Sequence, residues 1–206
     1  MLSAKEELAR LPERRKNGEP VTLEVVDSGR TSFALGMLVV FAARMAERGL
    51  EARQIAVRLP EMAERLHTLF VVDTLEYLAR GGRIGKARAF FGGMLRIKPI
   101  LSFDEGQVGP IDRVRGGRAA HPKILELLRG RLDRSRPLIV GIAHAKAPVW
   151  ADRLRRLVEE AFEVREMILT EIGPVVGTHG GPGTVGVVAF QPTDEELELL
   201  APLSAE

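Results

Sequence analysis

Two short stretches hold most of the residues that could do site chemistry. The first is Gly81-Gly82-Arg83-Ile84-Gly85-Lys86, which runs directly into an apolar stretch reaching Leu101. The second is Thr178-His179-Gly180-Gly181-Pro182-Gly183-Thr184. Glycines beside lysine suggest a phosphate loop. That loop needs GxxxxGK followed by Ser or Thr, after a strand and before a helix. Here Gly81 to Lys86 is one residue short, Ala87 stands where the hydroxyl belongs, and a helix is predicted ahead of it. The glycines instead make a tight reversal that exposes backbone N–H groups and aims Arg83 outward. An arginine so placed suits a carboxylate or a phosphate. The plainer alternative is a glycine helix cap with a surface arginine beside it.

In the second stretch Pro182 fixes one φ, and three glycines open conformations closed to other residues. Such a loop lets backbone approach a ligand closely, with Thr178 and His179 pointing into it. A phosphotransfer role for His179 also fits a histidine in a glycine loop, although no acidic partner stands near it in sequence. His67, His121 and His144 lack comparable settings, and no two histidines stand at metal-ligand spacing.

Between the arginines lie Phe90, Phe91, Met94, Leu95, Ile97, Ile100 and Leu101. These residues are ordinary core material, or they line a slot, because the glycines of "FFGGML" remove bulk beside the rings. An arginine next to a greasy slot is what a long-chain carboxylic acid would want.

Composition narrows the classes. The chain has 206 residues, enough for one large or two small domains. It has no cysteine, which excludes disulfides, thiolate catalysis and cysteine metal sites. Net charge is only +2, but from Arg80 to Arg118 nine Lys/Arg face three acids, nine minus three giving +6. An anion is expected to meet the protein there. Nucleic acid is disfavoured, because aromatics are scarce and the basic residues alternate with apolar ones. Apolar runs such as Phe33 to Ala43 fall short of the roughly 18 residues that span a bilayer. The N-terminus lacks the basic-then-apolar order of a signal peptide. A cytoplasmic protein without stable membrane insertion is expected.

The periodicities predict helices over 3–16 (with Pro12 arguing for a break), 32–48, 52–66 (disturbed by Pro60), 74–80, 85–95, 121–131 and 149–162. They predict strands over 21–26, 69–72, 99–103, 108–114, 138–143, 167–172 and 185–190. The stretch 173–184 is too glycine-rich for regular structure on this reading. Strands alternating with helices indicate an α/β fold.

These residues also carry a resemblance. "TLEYLARGGRIGKARAFFGGMLRIKPIL", then "DEGQVGPIDRVRGGRAA", and later "IGPVVGTHGGPGTVGVV" resemble the DegV family of bacterial fatty-acid-binding proteins. The earlier "VVDSGRTSFALGMLVVFAARMAERG" is similar to that family's central segment. The resemblance implies two α/β domains holding a fatty acid between them. It implies a carrier and not an enzyme, with no cofactor, that presents the carboxylate to an ATP-dependent fatty acid kinase. The acyl-phosphate made there serves phospholipid synthesis.

Carried onto this sequence, the head-group residues are Arg83, Arg115 and His179, with Arg118 and Thr178 beside them. Phe90, Phe91, Met94 and Leu95 line the tail. The family's early hydroxyl-rich segment does not precede Ser3, so a DegV-like two-domain fold with an incomplete N-terminal domain is expected. Residues 1–74 would be the remnant and 75–206 the C-terminal domain. The hydroxyl donors of that segment have no evident substitute, since Ser28, Thr31 and Ser32 lie in a different block. A homodimer covering an exposed sheet edge, or a remnant that no longer binds ligand, are the corresponding expectations.

Overall fold

The computed structural model describes residues 15–16, 19–90, 97–104 and 106–202. Elements run in the order β1 (Arg15–Lys16), β2 (Glu19–Pro20), α1 (Ser32–Glu47), α2 (Ala52–Glu64), β3 (His67–Val71), α3 (Glu76–Arg80), a 3₁₀ turn (Gly85–Phe90), β4 (Ile97–Asp104) and β5 (Gln107–Arg115). A 3₁₀ turn (Gly117–Ala119) leads into α4 (Ala120–Arg129). There follow β6 (Leu138–His144), α5 (Pro148–Ala161), β7 (Val164–Glu171), α6 (Pro174–Gly180), β8 (Val185–Phe190) and α7 (Asp194–Leu199).

Six strands form one mixed sheet in the order β5-β4-β3-β8-β6-β7. β8 sits in the middle, antiparallel to both β3 and β6, while β6 and β7 run parallel with α5 between them in sequence. The interior position explains the sequence of β6, an unbroken apolar run buried everywhere but at His144. The expected α/β class therefore holds. The boundary expected between 74 and 75 falls just after β3, an interior strand of this sheet.

Alternation along the strands sends two sets of side chains to opposite faces. Leu69, Val71, Val140, Ile142, Val185 and Val187 pack under α4 and α5 as the main core. On the other face Ile139, Val188 and Phe190 pack under α1 and α2, with Phe41 and Phe190 rings 5.0 Å apart. A third patch on that second face joins Leu78, Ile84 and Ala87 to Leu101 and Val108. The two patches leave an uncovered strip of sheet between them.

Three expectations differ from the structure. Residues 21–26 pair with no described strand, and Val21 and Leu23 are exposed. A β-branched run forms a strand only with a neighbour to bond, and none of the described strands provides one. Arg15 and Lys16, expected in a helix, pair with β2 instead, and the rest of that segment lies outside the described residues. Residues 174–180, expected to be irregular, form α6. Pro174 supplies a preset φ at the first turn, and seven residues are few enough to tolerate the glycines.

His121 is buried among α4 and α5, edge-on to Trp150 at 5.4 Å, and its Nδ1 has no hydrogen-bond partner. Burial, with Arg153 nearby, pushes its pKa down from 6.5 to about 4. The unfolded chain then takes up a proton below pH 6.5 that the folded chain refuses. Stability therefore falls as pH drops from 6.5 toward 4, by up to about 3 kcal/mol at one pKa unit per 1.4 kcal/mol. His67, also pushed down by burial, acts in the same direction. Urea titrations across this window should show His121→Gln flattening the slope. An unchanged slope would mean that His121 does not control it.

Candidate functional site

The uncovered strip is the floor of a cavity of about 720 Å³. Thr68 and Phe70 of β3, Gly186 and Val188 of β8 and Ala143 of β6 form that floor. Phe103 and Val108 form one side wall, and Phe70 and Phe103 stack at 5.3 Å. Phe33 and Ala34 of α1 form the opposite wall, while Gly82, Arg83, His179 and Gly180 close one end. The lining is thus mostly apolar, with the ionisable side chains Arg83 and His179 at one end and Thr31, Ser32, Thr68, Gln107 and Thr184 as further polar residues.

That polar end is assembled by α3 meeting α6. α3 ends in a Schellman cap. The Gly82 N–H donates to Ala79 O (3.1 Å) and the Arg83 N–H to Leu78 O (2.8 Å), with Gly82 at φ +67°. The cap turns Arg83 out of the helix toward the cavity, where its guanidinium donates to Gly81 O at 2.9 Å. The two glycines therefore form a helix cap, and the same turn puts Arg83 on the cavity lining. Gly85 presses the following 3₁₀ turn onto β5, since a Cβ there would stand 2.3 Å from Val108 O.

Three close approaches then lock α3 and the residues just before it to the histidine loop. A Cβ at residue 81 would stand 2.1 Å from His179 Nδ1. A Cβ at residue 181, where φ is +77°, would stand 2.2 Å from the Tyr77 ring. A Cβ at residue 183 would stand 2.7 Å from that of Asp73. Thr184 Oγ1 donates to Gly181 O at 2.8 Å and holds the loop closed below His179. Lys98 Nζ reaches Asp73 Oδ1 at 2.7 Å and ties β4 into the same junction. His179 Nδ1 is buried with no hydrogen-bond partner. A buried polar atom without a partner is unfavourable by about 1–3 kcal/mol, and here the packing against Gly81 imposes it.

Of the expected site residues, Arg83 and His179 come together at the cavity. Thr178 is exposed, outside the cavity lining, and its hydroxyl donates within α6 to Pro174 O at 2.7 Å. Phe90 ends the 3₁₀ turn, also outside the lining. Arg115 is exposed at the end of β5, and Arg118 is exposed just beyond it. Phe91, Met94 and Leu95 lie outside the described residues.

Sequence reasoning set Thr31 and Ser32 apart as belonging to a different block, and this is corrected. The start of α1 carries both onto the cavity wall, so they supply hydroxyls to the same space as Arg83 and His179. Thr68 and Phe70 were also missed, although their alternation with Leu69 and Val71 marks a second face that the main core does not use. Among the described residues no group of His, Asp and Glu could hold a metal, and no helix is long and apolar enough to cross a membrane.

The α/β sheet thus carries a mostly apolar cavity, closed at one end by an arginine and a histidine on interlocked glycine turns. The DegV family model, described as uncharacterised proteins, matches residues 2–192, and the chain belongs to that family. A DegV domain-containing protein of Streptomyces coelicolor is 37% identical over 173 residues, covering 82% of this chain and 60% of its own length.

Among solved structures, a DegV family protein from Thermus thermophilus described by its fatty acid binding superposes with a TM-score of 0.78 at 33% identity, covering 82% of this chain and 61% of that one. DegV of Bacillus subtilis, a fatty acid binding protein, gives 0.73 at 30% identity, covering 84% and 62%. The chain thus spans about three fifths of the length of the relatives it matches.

The interlock makes a direct prediction. Gly81→Ala should displace the His179 imidazole and lower stability by about 1–3 kcal/mol, the usual loss on overpacking. Denaturant titration gives the stability, and the His179 ring resonances in nitrogen-15 spectra report the displacement. An unshifted ring at full stability would show that α3 and α6 do not press on one another.

Proposed function

We propose that this protein binds a long-chain fatty acid in the cavity and presents its carboxylate to a fatty acid kinase for acyl-phosphate formation. The observation that carries this reading is the make-up of the cavity, mostly apolar from Phe33 and Phe70 to Val108, with Arg83 and His179 as its ionisable side chains and Thr31, Ser32, Thr68, Gln107 and Thr184 as further polar lining. With Nδ1 closed against Gly81, Nε2 is the histidine nitrogen left to donate to a carboxylate. Arg83 supplies the opposing charge that a carboxylate needs once its hydration is removed. Thr31 and Ser32 supply further hydroxyls along the wall. No chemical step is assigned to the protein itself. Its work is to desolvate a tail and orient a head group, and the fatty acid kinase supplies the phosphoryl transfer.

Arg115 serves the kinase and not the ligand. It is exposed on the far side of the basic segment, at a strand end and outside the cavity.

Two measurements test the reading. Solvent extracts of the purified protein should contain fatty acid above a control, and His179→Ala should weaken binding about tenfold to a hundredfold. That loss corresponds to a charge-assisted hydrogen bond of about 1.5–3 kcal/mol. Extracts free of lipid, together with an unchanged affinity, would sink the fatty-acid assignment.

Arg115→Ala should leave stability within about 0.5 kcal/mol, as an exposed substitution does, while slowing acyl-phosphate formation with the cognate kinase. A normal rate with that kinase would remove Arg115 from the hand-over.

A further inference from the structure

A second, smaller cavity of about 300 Å³ lies beside the first, between the start of α1 and the segment 170–176. Six residues line both cavities: Ser32, Phe33, Ala143, Ile172, Val175 and Val176. Phe33 is the bulkiest of the six. Its ring lies against Gly141 of β6, where a Cβ would stand 1.7 Å from Cε1 and 2.1 Å from Cδ1. Only a residue without a side chain leaves the sheet surface free for that ring. Behind it, Phe33 packs against the core under α1 and α2.

We infer that Phe33 is a partition between the two cavities and sets the length of acyl chain that the protein accepts. The inference rests on the fatty-acid reading above and adds a specificity residue to it. Its position along the sheet follows from strand register. Thr184 lies at the polar end beside His179, and Val188, four residues further along β8, pairs with Gly141 under the Phe33 ring. Four residues of strand span about 13 Å. An extended hydrocarbon with C–C bonds of about 1.5 Å advances about 1.25 Å per carbon, so the partition stands about ten carbons from that end.

A longer tail must turn at Phe33. With the ring in place the turn keeps the tail in the first cavity, whereas without it the second cavity becomes available. Gly141 fixes where the ring rests, so enlarging residue 141 pushes the ring away from the sheet and shortens the space for the tail.

The test is a titration of saturated fatty acids of 12 to 20 carbons into the wild-type chain, Phe33→Ala, Phe33→Trp and Gly141→Ala, with thermal melts to check folding. Each additional buried methylene improves affinity about fourfold. In the wild type this gain should stop at a particular length. Phe33→Ala should carry it further by about two carbons or more, and Phe33→Trp and Gly141→Ala should each end it earlier. Should Gly141→Ala fail to fold, the two Phe33 variants decide the matter by shifting in opposite directions.

Folded Phe33 variants with the wild-type length profile would overturn the partition while leaving fatty-acid binding intact. A wild-type chain that binds none of the acids would instead overturn the fatty-acid reading, and the partition with it.

Discussion

The site depends on an approach that only hydrogen-sized side chains permit. His179 occupies the space where a side chain on residue 81 would begin, the Tyr77 ring occupies that of residue 181, and Asp73 crowds that of residue 183. These contacts bring together two turns about 100 residues apart in sequence, and neither turn makes a site alone. The Schellman cap aims an arginine, the end of α6 holds a histidine, and the interlock sets the distance between them. Because the histidine has one nitrogen sealed and unpartnered, its orientation comes from packing and not from a hydrogen-bonded orienting group.

The cavity exists because one face of the sheet is covered in two pieces. α4 and α5 cover the first face continuously, which produces the main core. On the second face α1 and α2 cover one end and the α3 turn covers the other, so Phe70, Gly186 and Val188 are left as floor. Two packed clusters flank the strip and hold the walls of the cavity in place.

The basic segment that stands out in the sequence is divided by the fold. Arg80 lies 3.5 Å from Glu76, and Lys98 is spent on Asp73. Arg83 turns to the cavity, while Arg115 and Arg118 remain exposed at and just beyond the end of β5. One run of positive charge therefore separates into structural, cavity-facing and surface cations.

Much of this was legible in the sequence for physical reasons that act locally. The apolar run of β6 announces an interior strand, and the hairpin of β4 and β5 shows in its alternation around residues 104–107. Thr193 and Glu196 spell the capping box that starts α7, a signal that was present and passed over. Gly82 could be read as a helix cap and Arg83 as its outward residue, since a cap is a property of a few consecutive residues.

What the sequence could not decide is which residues share a space. Thr31 and Ser32 join the cavity because α1 packs on the same face as the α3 turn. Thr178 leaves the cavity lining because the glycine-rich stretch closes into a helix that uses its hydroxyl. Gly81, Gly141 and Gly183 look alike in the sequence. Only the tertiary structure says which atom each makes room for, because that atom belongs to a residue 98 to 110 positions away, brought there by the sheet.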